Sequence, residues 1–134
     1  QEEKDLLLKD LSARLPYGVK MNHIADDEHS PNTLIGIAKD MITLEGLGGY
    51  ECVDVEDYKP YLFPLSSITI EQEKELSKLG VSYGEYALHD DIRGLGIMVD
   101  DAYIFFEFCY KHHIDFLGLI EMGLAIDAIK LNIY

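Results

Sequence analysis

The sequence contains no tryptophan, two cysteines and only four prolines in 134 residues. No run of about 20 apolar residues is present, so no segment is long enough to cross a bilayer as a helix. Basic residues are scarce. Eleven Lys and Arg stand against 25 Asp and Glu, for a formal charge of -14. Nucleic-acid affinity rests on Lys and Arg neutralising phosphates, so no direct nucleic-acid binding is expected. Docking on an anionic membrane is disfavoured on the same ground. Cys52 and Cys109 are too few for a disulfide framework and too far apart for a C-x-x-C metal motif. They read as two small buried hydrophobes in a reducing compartment. Neither a G-x-S-x-G nor an H-E-x-x-H motif occurs, and Gly46-Leu47-Gly48-Gly49 matches no P-loop or dinucleotide fingerprint. No cofactor is implied.

What is present is globular in character: 48% hydrophobic and 27% charged residues. At about 150 residues per domain the chain is expected to form one compact unit or two small lobes sharing a core. Residues 2–14 read as a helix, with Leu7, Leu8, Leu11 and Leu15 at helical spacing. Asp5–Lys9 and Asp10–Arg14 are i,i+4 pairs worth a few tenths of a kcal/mol each. Pro16 stops the helix and Gly18 allows a turn. Short strand patterns follow at 19–24, 33–38, 41–44 and 50–55, with a hairpin through Lys39-Asp40 and a glycine turn at 46–49. In the last of these, Tyr50, Cys52, Val53 and Val55 compete to face the core, and the register stays open. So few short strands must curl into a small barrel or lean on helices. Pro60 and Pro64 argue against a central strand at 59–65, which reads as an edge strand or an extended connector.

The second half is mainly helical. Thr69-Ile70-Glu71-Gln72 matches a capping box opening a polar helix that Gly80 ends. Residues 81–96 have no clean period. Residues 97–111 form the strongest helix pattern, apolar apart from a stripe of Asp100, Glu107 and Lys111, which places Tyr103 and Tyr110 in the core. Asp115 is placed to cap a short helix through Met122, with Gly123 as its stop. Residues 124–134 either pack as an extended strand or fray. The expected fold is α+β: a small curled antiparallel sheet, an SH3-like barrel if it closes, between an N-terminal helix and a C-terminal helical half. Residues 1–15 make the N-terminal helix, 16–66 a small β lobe, and 67–134 a mainly helical lobe sharing the core.

Four groups of residues have a chemical reading. His112, His113 and Asp115 combine imidazole and carboxylate ligands suited to a divalent ion. Adjacent histidines on a helix diverge, however, and a dipole-favoured helix-end histidine beside an N-cap explains the cluster without metal. His89-Asp90-Asp91, near Tyr83, Tyr86 and Arg93, pairs a histidine with an orienting carboxylate but lacks a nucleophile. Asp26-Asp27-Glu28-His29 lacks the alternating ligands and glycine of a calcium loop and reads as a charged hairpin tip. Nine tyrosines are the most suggestive feature, because tyrosine presents an apolar body with a wet tip. Tyr17, Tyr58, Tyr61, Tyr83 and Tyr86 lie in turns and connectors and form a candidate interaction surface.

Three segments together carry a resemblance. They are Leu15-Pro16-Tyr17-Gly18-Val19-Lys20; Lys59 through Thr69 (KPYLFPLSSIT); and His112-His113-Ile114-Asp115-Phe116 with Leu119-Ile120-Glu121-Met122-Gly123-Leu124-Ala125. The combination resembles an uncharacterised family of small prophage and mobile-element proteins from gut anaerobic bacteria. The resemblance spans nearly the whole chain. It implies a mobile-element origin and a cytoplasmic setting, and it carries over no site residue. Relatives often show Asp-Tyr-Arg-Gly-Leu-Ile where this chain has Asp115-Phe116-Leu117-Gly118-Leu119-Ile120, so any role of that arginine is in doubt here.

The functional expectation is a non-enzymatic protein-binding module acting on a protein partner. A second expectation is an acidic DNA mimic that fills the basic groove of a host protein, since residues 51–100 hold 11 acids against 4 bases. Such mimicry needs carboxylates lining one face at phosphate spacing. A third is a metal-dependent hydrolase built on His112, His113 or His89.

Overall fold

A computed structural model describes residues 1–46, 48–79 and 102–134. Helix α1 spans Glu2–Arg14. A short 3-10 turn at Leu15–Tyr17 follows, and Gly18 reverses the chain at φ 69. Strands β1 (Lys20–His23), β2 (Asn32–Ala38), β3 (Met41–Gly46) and β4 (Gly49–Asp54) form an antiparallel meander. Strand β5 (Tyr58–Pro64) pairs antiparallel with β1. Helix α2 is Ile70–Lys78 and helix α3 is Ala102–Lys111. Two-residue strands β6 (Ile114–Asp115) and β7 (Ile126–Asp127) both add parallel to β5. The result is an α+β fold with a curled, unclosed, mixed sheet in the order β4-β3-β2-β1-β5-β6, with β7 also on β5. The sheet leans on helices instead of closing as an SH3-like barrel. No helix of the described residues is long and apolar enough to cross a membrane.

The hairpin forms as the sequence predicts, with Lys39 at φ 58 in the two-residue turn. Strict alternation along β2 would put Leu34 and Ile37 on opposite faces. A bulge between Leu34 and Gly36 shifts the register, so Leu34 opposes buried Leu44 and Ile37 opposes buried Ile42. The extra residue, Ile35, is left in water.

The expectation of an edge strand or connector at 59–65 is corrected: β5 lies inside the sheet. Its prolines fall where its partners change. Pro60 is the last residue paired with β1, and Pro64 is the last residue of the strand. Tyr61–Leu62 face β7, and Phe63 donates its N–H to the His113 carbonyl at 2.8 Å. A missing proline N–H at the end of a ladder interrupts no run of bonds.

Two apolar clusters hold the elements. In the first, Leu7 and Leu11 of α1 cover Val19, Met21, Leu34, Ile42, Leu44, Tyr58 and Leu62 of the sheet. In the second, Leu76 of α2 meets Phe105, Phe108 and Cys109 of α3 with Ile114 and Phe116. Leu117 packs against both. The capping box of α2 is formed in both directions, and only Leu76 of that helix is buried. Gly80 and residues 81–101 lie outside the described residues, as does the N-terminal part of the helix expected at 97–111.

Four further expectations are corrected. Asp10–Arg14 is no surface pair: both side chains are fully buried at 2.7 Å. Asp5 accepts instead from Gln1 Nε2 at 3.0 Å. Tyr103 is 73% exposed, because the buried stripe of α3 runs through Phe105, Phe108 and Cys109, and Tyr103 points away from it. Asp115 ends a strand and caps a single turn; no regular helix runs to Met122. Its carboxylate accepts from the N–H groups of Gly118, Leu119 and Ile120 at 2.9–3.0 Å. Gly123, at φ 78, closes the turn through Gly123 N to Ile120 O and Leu124 N to Leu119 O.

Candidate functional site

Of the five tyrosines expected to share a surface, three lie among the described residues. Tyr58 and Tyr61 are buried, as strand residues packed under α1 and the 126–134 segment. Tyr17 is half-buried. Tyr83 and Tyr86 lie outside the described residues. Burial pushes the Tyr61 hydroxyl up to about 12, and that hydroxyl lies 2.9 Å from His29 Nδ1.

The metal candidates are drawn to separate partners. His112 Nε2 sits 3.0 Å from Glu75 Oε2 on α2. The ring of His113 stacks on Tyr134 at 3.7 Å between centroids. Asp115 spends its carboxylate on three backbone amides. His89 falls outside the described residues. Among the described residues, no group of three His, Cys, Asp or Glu is placed to hold a metal. Asp26 likewise serves its own loop, accepting from Glu28 N and Ser30 N. These bonds draw its carboxyl below the usual range.

A surface that the sequence reading missed lies on the outer side of the meander. Ile42 and Leu44 of β3 point into the core, so Met41, Thr43 and Glu45 point out. Their partners across β4 are Asp54, Cys52 and Tyr50, which share that outer face. Tyr50 is 73% exposed at one end of the β3–β4 pair, Met41 is exposed at its other end opposite Asp54, and Ile35 is exposed at the bulge of β2. Cys52 is exposed too, which corrects its expected burial; Cys109 is buried as expected. The reason is positional: Cys52 opposes Thr43 on the outer face, and β4 is the last strand of the sheet. The sequence held one signal for this, a strand pattern whose apolar residues did not settle on a single face.

The same region is strongly acidic. Residues 40–58 contain six carboxylates and no base. Lys4 of α1 binds two of them, Asp40 at 3.1 Å and Glu56 at 3.2 Å. Among the described residues Glu45, Glu51, Asp54 and Asp57 have no basic partner; Asp54 accepts only the Glu56 N–H. Glu51 opposes Leu44 and so lies on the core side of the edge strand. There it borders a half-open cavity of about 270 Å³ lined by Asn32, Leu44, Gly46, Gly49 and Tyr50.

Comparison with protein-family models, with curated proteins and with solved structures finds no match.

Proposed function

We propose that the chain is a non-enzymatic protein-binding module of prophage or mobile-element origin, acting in the cytoplasm on a protein partner. The observation that carries this reading is the outer face of the meander. Tyr50, Met41 and Ile35 stand in water on a sheet whose other face is core. Exposed aromatic and Met side chains on a preformed scaffold are what protein interfaces are enriched in.

An acidic DNA mimic has less behind it. Its carboxylates must follow one face, whereas exposed acids here stand on α1 (Glu2, Glu3, Asp5), in the β1–β2 loop (Asp27, Glu28), on β4 and on α2 (Glu71, Glu73). The protein-binding reading is tested by capture from a host extract with mass spectrometry, using the wild-type chain beside a Met41→Ser, Tyr50→Ser chain. A partner held by the first and lost from the second supports it. A wild-type chain that captures nothing, or that turns over a substrate, counts against it.

A further inference from the structure

We propose that the partner docks on the free edge of β4, and that it supplies a positively charged extended segment that joins the sheet as an antiparallel strand, a proposal resting on the protein-binding reading above. Strand β4 pairs only with β3 among the described residues, so alternate residues of Gly49–Asp54 aim their N–H and C=O groups away from the sheet. Gly49, Tyr50, Glu51 and Cys52 are all exposed. Edge strands are commonly blunted by proline, lysine or a bulge, and β4 has none of these. An extended peptide adds to such an edge through main-chain bonds, and the alternate side chains set its specificity.

Charge selects the guest. Among the described residues Glu45, Glu51, Asp54 and Asp57 stand around the edge without basic partners, so a cationic strand is attracted and a neutral or acidic one is not. Self-pairing is opposed, because it joins two chains of charge -14 along their acidic edges. The register gives the pattern. In antiparallel pairing, the guest residue opposite Asp54 comes first, on the outer face. The residues opposite Val53, Cys52, Glu51 and Tyr50 follow. The guest therefore carries Lys or Arg at its first and fourth positions. Apolar or β-branched residues stand at its second and fifth, against Val53 and Tyr50. The fourth side chain lies on the core side, beside Glu51 and the cavity.

The test titrates the full chain with a capped peptide bearing Arg-Val-Thr-Arg-Ile at its centre, with binding mapped by amide NMR shifts. Shifts are expected along Gly49–Asp54, with affinity falling as salt is raised. Exchanging both arginines for glutamate weakens binding at least about tenfold. N-methylation of the peptide amides that face β4 abolishes it. A Glu51→Lys, Asp54→Lys chain prefers the glutamate peptide, and this reversal shows that the variant is folded. The proposal is overturned by absent binding, by shifts away from β4, by indifference to N-methylation or charge reversal, or by a β4-paired dimer of the chain itself. An extract partner held equally by the wild-type and E51K/D54K chains overturns the β4 docking and leaves the protein-binding reading standing. An extract that yields no partner overturns both.

Discussion

His113 is expected to make the fold sensitive to mild acid. It sits at φ 60 between α3 and β6, with its ring on Tyr134 and its Nδ1 buried without a hydrogen-bond partner. Burial, and then the positive charges of Arg14, His112 and Lys20, lower its pKa from 6.5 to about 4. The folded chain therefore keeps His113 neutral down to about pH 4, while the unfolded chain takes up the proton below about pH 6.5. Stability is full above the unfolded value and is lost as pH falls from 6.5 towards 4. With the ring partly in contact with water, the loss is about 1–2 kcal/mol. Asp10 works in the opposite sense. Burial outweighs Arg14 and raises its carboxyl above the ordinary value, so the fold holds that proton more tightly as pH falls. Urea midpoints measured from pH 7 to pH 4 are expected to decline in the wild-type chain. The slope should be much flatter in His113→Asn, a residue that tolerates positive φ. Equal slopes in the two chains would show that His113 is not the group responsible.

At the scale of elements, the seam between β1 and β5 depends on one hydroxyl. The two strands pair at residues 21–23 and 58–60, and then diverge. Tyr134 Oη fills the gap: it accepts from Lys20 N at 2.9 Å and donates to Tyr61 O at 2.8 Å. Burial raises its pKa well above the ordinary tyrosine value, so it remains a donor at any working pH. Tyr134→Phe leaves a donor and an acceptor unpaired while keeping the ring on His113. The expected cost is about 1–3 kcal/mol, together with faster hydrogen exchange at the Lys20 amide. Unchanged exchange there would refute the bridge. No sequence pattern announces this contact, which joins residues 114 positions apart. Local signals were legible: the leucine spacing of α1, the capping box at Thr69, and the turn at Gly18. What escaped was set by distant partners. Pro60 and Pro64 looked disqualifying until β6 and β7 supplied short parallel ladders between them. Tyr50 and Tyr103 look like core residues in their local patterns and are exposed because, among the described residues, no element covers them. An interaction surface was sought in connectors, where the fold buries Tyr58 and Tyr61, whereas the exposed Tyr50 stands on an edge strand.

For the whole molecule, the question is whether two apolar clusters make one cooperative unit. Leu117 touches both, but Arg14 is the stronger tie. From α1, in the first cluster, its guanidinium binds Asp10 at 2.7 Å and reaches into the second. There it donates to the Ile114 carbonyl at 2.6 Å and the Cys109 carbonyl at 3.4 Å, 5.3 Å from the centre of the Tyr110 ring. Opening the second cluster alone would strip two acceptors from a buried charge, so the clusters should unfold together. Cys109 reports on this directly. It is buried in the second cluster, and that burial raises its thiol pKa, so it reacts only when exposed. In a Cys52→Ser background, labelling of Cys109 should yield the same opening free energy as hydrogen exchange of the β1–β2 amides. Arg14→Met strands the Asp10 carboxyl and both carbonyls, at a cost of about 3–5 kcal/mol. Adding Asp10→Leu should recover part of that loss by removing the unpaired acid. Neither replacement restores the link to Cys109 and Ile114, so in both variants Cys109 should label ahead of β1–β2 exchange. If it already does so in the Arg14 chain, the clusters are independent and Arg14 does not couple them.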